Sequence, residues 1–337
     1  MKQELLLVHA MDYSMQTVLY FKVQIKLNRI YGFGWVMQHM QITLEQQVKQ
    51  MKYQQSYKAF VKDNSMPIDY IRGRLQQTYN DIYYKKFREN NVTRVLGVWD
   101  DHDFGIQNGN KYYKNKDIVR EVFLDFLDEP LHSGRRHEKN TGLYQDYMID
   151  QMIDGVSAKI HIIILDVRYD YDPITNDRFG DAQIEWLKQV LQQPSDTTVF
   201  VSGIQVFADR KFIIEEFDWT NKKRLIVDII RNDPLTKKNG IVFLSGDVHF
   251  AQIYHSGCAS LATGYNLLEV TSSGMSHHAD QVLGLGTPML AITTAPFFIH
   301  SKIYMDMNYG FMKIRRSNHT RTCNKIMNWF NIAVPCV

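Results

Sequence analysis

The sequence predicts a layered α/β protein whose functional groups gather on one rim. Two observations carry that expectation. Apolar, β-branched runs alternate with segments whose apolar residues recur near every 3.6 positions. Several of the runs stop abruptly at polar side chains. Trp99 is followed by Asp100-Asp101-His102-Asp103, Val167 by Arg168-Tyr169, Val201 by Ser202-Gly203, and Leu244 by Ser245-Gly246-Asp247-Val248-His249. A buried strand that ends in carboxylate and imidazole delivers acid–base groups or metal ligands to one edge of a sheet.

The elements follow in order. Residues 1–60 are rich in Gln, Met and Tyr and give no clear strand or helix boundaries. Residues 69–90 are polar-aromatic with helical spacing. Val92 to Trp99 reads as a buried strand. Asp117 to Leu127 reads as an amphipathic helix, with Ile118, Val119, Val122, Phe123 and Phe126 in phase and Pro130 beyond its end. His132 to Asn140 is a basic loop containing Arg135-Arg136. Lys159 to Val167 is a strongly apolar strand. Asp181 to Gln192 is a helix with Ile184, Leu187, Val190 and Leu191 on one face. Thr197 to Val201 is a strand, Arg224 to Arg231 a helix, Gly240 to Leu244 a strand, and Tyr265 to Val270 a last strand before Thr271-Ser272-Ser273-Gly274. Pro173 and Pro194 fall in loops. His277-His278 reads as loop rather than as a ligand pair.

Composition narrows the function classes. The 337 residues suit one large domain or two smaller ones, and 45% hydrophobic content is ordinary for a globular core. A net charge of +3 is too small to argue for nucleic acid. No run reaches the roughly 18 uninterrupted apolar residues of a membrane helix. Leu5-Leu6-Leu7-Val8 is too short for the apolar core of a signal peptide. The cysteines, Cys258, Cys323 and Cys336, make no disulfide framework and leave the redox compartment open. The glycosylation patterns at Asn91 and Asn318 are of a kind that arises by chance.

The strand-end residues fit metal chemistry. Asp101 and Asp247 offer hard anionic oxygens, and His249 adds a neutral nitrogen. His102, next to Asp101, can protonate a leaving oxygen or stabilise a developing oxyanion. Arg168 can grip a phosphoryl group with its planar fork. Each feature alone has a plainer explanation. A lone Asp after a strand is often a helix cap, and an arginine there is often solvated. The joint pattern favours a metal site, because several apolar strands end in such groups. Two metals roughly 3.5–4 Å apart would clamp an in-line displacement at phosphorus.

These segments resemble the PhoD-like family, the alkaline phosphatase D branch of the calcineurin-like metallophosphoesterases. The resemblance runs from about Asp69 to Ile314. It rests on Trp99-Asp100-Asp101-His102-Asp103, Leu165-Asp166-Val167-Arg168-Tyr169, Ser202-Gly203-Ile204-Gln205-Val206, Ser245-Gly246-Asp247-Val248-His249-Phe250-Ala251, Glu269-Val270-Thr271-Ser272-Ser273-Gly274 and Asn308-Tyr309-Gly310, in family order. It implies a metallophosphatase-type sandwich of two central β-sheets flanked by helices. It further implies a dinuclear centre using iron and calcium, and hydrolysis of phosphate mono- or diesters. The substrate would be a small phosphoester. Oligomeric state and localisation stay unassigned.

The chain departs from the family near its start. The Gly-Ser-Cys-Asn strand and the Trp-x-Gly-Asp-x-x-Tyr-x-Asp block, which supply the bridging carboxylate, are absent. Met37-Gln38 stand where Gly-Asp belongs, so the N-terminal part of the fold is expected to be incomplete. Back-translating Arg29 to Ile42 and reading one frame across restores the block. Trp35-Val36 forces Gly, and Met37-Gln38 and Met40-Gln41 each force Ala. The other codons permit Asp-Leu-Trp-Val-Trp-Leu-Gly-Asp-Ala-Ala-Tyr-Ala-Asp. The expectation is therefore an out-of-frame stretch within residues 1–68, a metallophosphatase domain over 69–314, and a divergent tail over 315–337. The alternative is a catalytically impaired relative acting as a binding protein. A non-hydrolytic metalloenzyme such as an oxygenase fits the Asp-rich motifs poorly.

Overall fold

The computed structural model describes residues 6–8, 65–91, 95–137, 141–153, 155–207, 220–232, 241–255, 263, 267–275, 302–316 and 326–333. Trp35 to Met40, the three cysteines and His277-His278 lie outside the described residues.

The described chain is mixed α/β. Its helices are α1 (Ile68–Tyr79), α2 (Ile82–Asn91), α3 (Asp101–Phe104), α4 (Lys116–Phe126), α5 (Gly134–His137), α6 (Gly180–Val190) and α7 (Thr220–Asn232). Its strands are β1 (Leu6–Val8), β2 (Gln145–Ile153), β3 (Val156–Leu165), β4 (Thr197–Ser202), β5 (Ile241–Ser245), β6 (Ala251–His255), β7 (Leu268–Ser272), β8 (Lys302–Tyr304), β9 (Tyr309–Arg316) and β10 (Ile326–Ala333). Seven strands form one sheet in the order β2-β3-β4-β5-β7-β6-β8, and β1-β9-β10 form a second. In the large sheet β3, β4, β5 and β7 run parallel, while β2, β6 and β8 pair antiparallel with their neighbours.

Parallel pairing explains the continuous apolar runs, since such strands are covered on both faces. Alternate residues serve alternate cores. Ile160, Ile162 and Ile164 of β3, Val199 and Val201 of β4, and Val242 and Leu244 of β5 share a core with Ile71 and Leu75 of α1, Val119 and Phe123 of α4, and Met312 and Ile314 of β9. Ile163, Leu165, Phe200, Ile241 and Phe243 face the other way, onto Ile184 and Leu187 of α6 and Ile226 and Ile230 of α7. The parallel strands therefore all end at one buried-backed edge, and the polar segments that follow them meet there.

Several elements differ from expectation: β1, β2 and β6 fall where the sequence predicts no strand, α5 lies in the stretch read as a basic loop, and three further differences have a clear physical cause. The helical stretch 69–90 is two helices, because Asp81 accepts the N–H groups of Tyr83 and Tyr84 and starts a new one. The α4 helix stops at Phe126, before Pro130 can act. Asp128 adopts a left-handed conformation (φ 55°), and the N–H groups of Asp128 and Glu129 bond back to Asp125 and Leu124. Of the expected Val92 to Trp99 strand, residues 95–99 are described; Leu96 to Trp99 are buried, and none of them joins a ladder among the described residues. The Gly97 carbonyl instead accepts from the Arg135 guanidinium at 2.8 Å, and the same group reaches the Leu143 carbonyl at 2.6 Å. Arg135 is thus a buried substitute for a strand neighbour rather than a solvated charge of a basic loop.

Candidate metal centre

The first contribution comes from the chain after Trp99. Asp100 precedes α3, and the Asp103 carboxylate accepts its N–H at 3.3 Å. Both oxygens of Asp101 accept main-chain donors: Oδ1 from His102 at 2.7 Å and Oδ2 from Asn108 at 2.9 Å. These bonds fix the carboxylate's plane. Gly105, at φ 100°, ends the turn, where a Cβ would come within 2.7 Å of Ile71. Gly203, after β4, lies so close to the Trp99 carbonyl that a Cβ would sit 2.8 Å from it.

The second comes from the end of β3. Asp166 is buried and accepts four N–H groups: Arg168 and Tyr169 on Oδ1 at 2.9 and 3.0 Å, Leu143 and the Trp99 indole on Oδ2 at 2.7 and 3.0 Å. The Gln183 amide of α6 clamps the Asp166 main chain on both sides, accepting its N–H at 2.9 Å and donating to its carbonyl at 2.8 Å. Arg168 is thereby aimed inward. Its Nε donates to Asp100 Oδ1 at 2.6 Å, and Nη2 lies 2.6 Å from the same oxygen. Farther along this loop, burial and the neighbouring Asp166 charge push the Asp170 carboxyl up to about 6.

The third comes after β5. Asp247 and His249 both have left-handed backbones without being glycine, at φ 74° and 59°. The Val248 N–H bonds to the Gly246 carbonyl at 3.0 Å, so Asp247 is the centre of a γ-turn of the rare positive-φ kind. The His249 N–H donates to Ser273 Oγ at 3.2 Å, tying this turn to the end of β7. Beyond it Ser272 Oγ donates to Asn308 Oδ1 at 3.1 Å, and the Asn308 N–H to the Gly274 carbonyl at 2.9 Å. Strain of this kind persists only where the surroundings over-determine it.

The first and third of these loops bring Asp100, Asp101 and Asp247 together, with one carboxylate oxygen of each within 4.8 Å of the others. Of Asp100, Oδ1 is taken by Arg168, whereas Oδ2 is buried with no hydrogen-bond partner among the described residues. A buried carboxylate oxygen without a donor is costly. Clustered hard oxygens with one left open fit a metal cation, and this buried Asp cluster can hold one.

Of the residues the sequence singled out, Asp101 and Asp247 join the cluster. His249 stands on the same turn as Asp247, but its ring nitrogens are not within the 4.8 Å group. His102 borders it, with Nε2 3.8 Å from Asp101 Oδ1 and Nδ1 buried without a partner among the described residues. Arg168, expected at a phosphoryl group, is fully buried against Asp100. Sequence reasoning missed Asp100. The signal was present as an arginine and an aspartate at the ends of adjacent apolar runs.

No family model and no curated protein matches the chain. Solved structures similar to it include "Structure of PhoD", at 12% identity over 71% of this chain and 54% of that one, TM-score 0.44. A second is "GAP50 the anchor in the inner membrane complex of Plasmodium", at 9% identity over 56% and 50%, TM-score 0.38. A third is a hypothetical protein from Thermus thermophilus, at 10% identity over 78% and 94%, TM-score 0.29. The chain spans about half the length of the first two. Likeness at these scores carries no functional argument. Among the described residues no helix is long and apolar enough to cross a membrane.

Proposed function

We propose that this protein hydrolyses phosphate mono- or diesters in a metal-dependent reaction. The observation that carries the reading is the open, buried Oδ2 of Asp100 inside a cluster of three carboxylates. The phosphoester class comes from the six motifs and their order, which resemble those of PhoD-like phosphatases. Asp100, Asp101 and Asp247 would hold the metal, with His249 as a nitrogen donor two residues beyond Asp247. In the reading the resemblance suggests, the centre is dinuclear with iron and calcium, set in a metallophosphatase-type sandwich over residues 69–314. When bound, such a metal supplies an activated water and charge to stabilise the phosphoryl oxygens. His102, partly exposed beside Asp101, is placed to give a proton to the departing oxygen. The Asp101 carboxylate is kept in register by its two main-chain donors.

The test is turnover of p-nitrophenyl phosphate and bis(p-nitrophenyl) phosphate by the full chain, with calcium, manganese or ferric iron supplied. Metal-dependent cleavage is expected, abolished by chelation and reduced by at least about 100-fold in His102→Ala and His249→Ala. Metal binding without turnover would overturn the hydrolase reading. It would favour the catalytically impaired binding protein that Met37-Gln38 suggests if the message encodes them as written.

A further inference from the structure

We propose that Arg168 is a positioning residue that acts through Asp100. It occupies Oδ1, balances part of the clustered negative charge, and so presents Oδ2 to the cation. The inference rests on the metal reading above and assigns Arg168 a role other than substrate contact.

Burial comes first. The Arg168 side chain is 0% exposed, and two of its nitrogens lie 2.6 Å from one oxygen of Asp100. To touch a phosphoryl group it would have to leave a desolvated ion pair, which strands two buried charges. Preorganisation comes second. The Arg168 main chain is set by Asp166, itself fixed by Trp99, Leu143, Tyr169 and the Gln183 amide. The fork therefore arrives in place before any ligand does. Selectivity between the two oxygens comes third. Convergence of Nε and Nη2 on Oδ1 leaves Oδ2 as the oxygen without a donor among the described residues. Arg168 thus makes Asp100 a one-oxygen ligand of defined direction. Charge comes last. Asp100, Asp101 and Asp247 bring three carboxylates within a few ångströms of one another, and the guanidinium on Asp100 offsets part of their mutual repulsion before a cation arrives. Lysine would keep the charge but lose the planar guanidinium whose Nε donates to Oδ1 while Nη2 abuts the same oxygen.

The experiment is calorimetric titration of the full chain with manganese(II) alone, followed by phosphoester kinetics at saturating manganese. Arg168→Met is expected to weaken manganese binding by about 10- to 100-fold, as loss of a group that orients a ligand does. Arg168→Lys should recover binding to within about 10-fold of wild type, with an unchanged KM at saturating metal. In Asp100→Asn, removing Arg168 as well should cost no further affinity. If Arg168→Met does not fold, Arg168→Lys carries the test through the split between metal affinity and KM. Raised KM at saturating manganese with metal affinity intact would overturn the proposal and return Arg168 to the substrate. Wild-type protein that binds no manganese would overturn the metal reading itself. Wild-type binding with unaltered binding in both variants would overturn only this inference.

Discussion

The two loops that supply the carboxylates are held by different balances of hydrogen bonding and backbone conformation. The segment Asp100 to Asn108 is fixed chiefly by hydrogen bonds, and its one non-glycine residue at positive φ, Asn108 (52°), is of a type that tolerates it. Both Asp101 oxygens and one Asp100 oxygen have donors, and the buttress behind them is a carboxylate, Asp166, with four donors of its own. The segment Gly246 to His249 is fixed by backbone conformation, with two non-glycine residues at positive φ and a three-residue turn. The first loop gains stability from the groups that orient its ligands, whereas the second gives up stability to orient its own. The two sides of one site should therefore respond to substitution with opposite signs.

The largest effect falls on the hydrogen-bonded side. Asp166→Ala removes a buried acceptor from Arg168, Tyr169, Leu143 and the Trp99 indole at once. Stranded buried donors of this number should cost about 3–5 kcal/mol, read from urea unfolding. A loss under about 1 kcal/mol would mean the loop holds itself without its buttress, and the contrast would collapse.

Much of this architecture was legible in the residues, and what was not has physical reasons. β3, β4 and β5 announce themselves because strands buried on both faces are continuously apolar, and α6 because its apolar spacing is unbroken. The rim could be inferred because each run ends in polar side chains. Side-chain substitutes for a ladder could not. Gln183 clamping Asp166 and Arg135 reaching Gly97 leave no periodic trace, since a charged or amide residue reads the same whether solvated or buried. The Val92 to Trp99 run has strand composition, yet its described part finds a guanidinium in place of a neighbour. Asp100 was passed over because an Asp at the end of an extended run reads equally as the cap of the helix that follows, and Asp100, still extended at φ −118°, does precede α3. Positive φ at Asp247 and His249 was invisible, because neither residue type demands it.

A smaller effect, with a pH signature, tests the same buttress. Asp170 has its carboxyl raised to about 6 by burial and by the Asp166 charge. The folded state therefore binds this proton more tightly than the unfolded chain, whose carboxyl titrates near 3.8. The sign follows: Asp170 favours folding when protonated, and that contribution is lost as pH rises from about 4 through about 6. Asp170→Asn should be more stable than wild type by roughly 1 kcal/mol at pH 7.5, after discounting for the water-reached part of the group. The difference should vanish at pH 4. A constant difference across that range would show that neither burial nor the charge of Asp166 raises the Asp170 carboxyl.

The smallest effect has the opposite sign to the first and isolates the strained side. Asp247→Gly relieves positive φ and removes one of three neighbouring negative charges. Asp247→Asn removes the charge and keeps a side chain on the same backbone. The Gly variant minus the Asn variant is thus the backbone contribution alone, lessened by the greater freedom of glycine in the unfolded chain. We expect metal-free Asp247→Gly to exceed Asp247→Asn by about 0.5 kcal/mol in thermal unfolding, with manganese binding weakened in both. Equal stability of the two would mean that the γ-turn stores no strain. Asp247 would then be held by its neighbours just as Asp101 is, and the two loops would differ only in their donors.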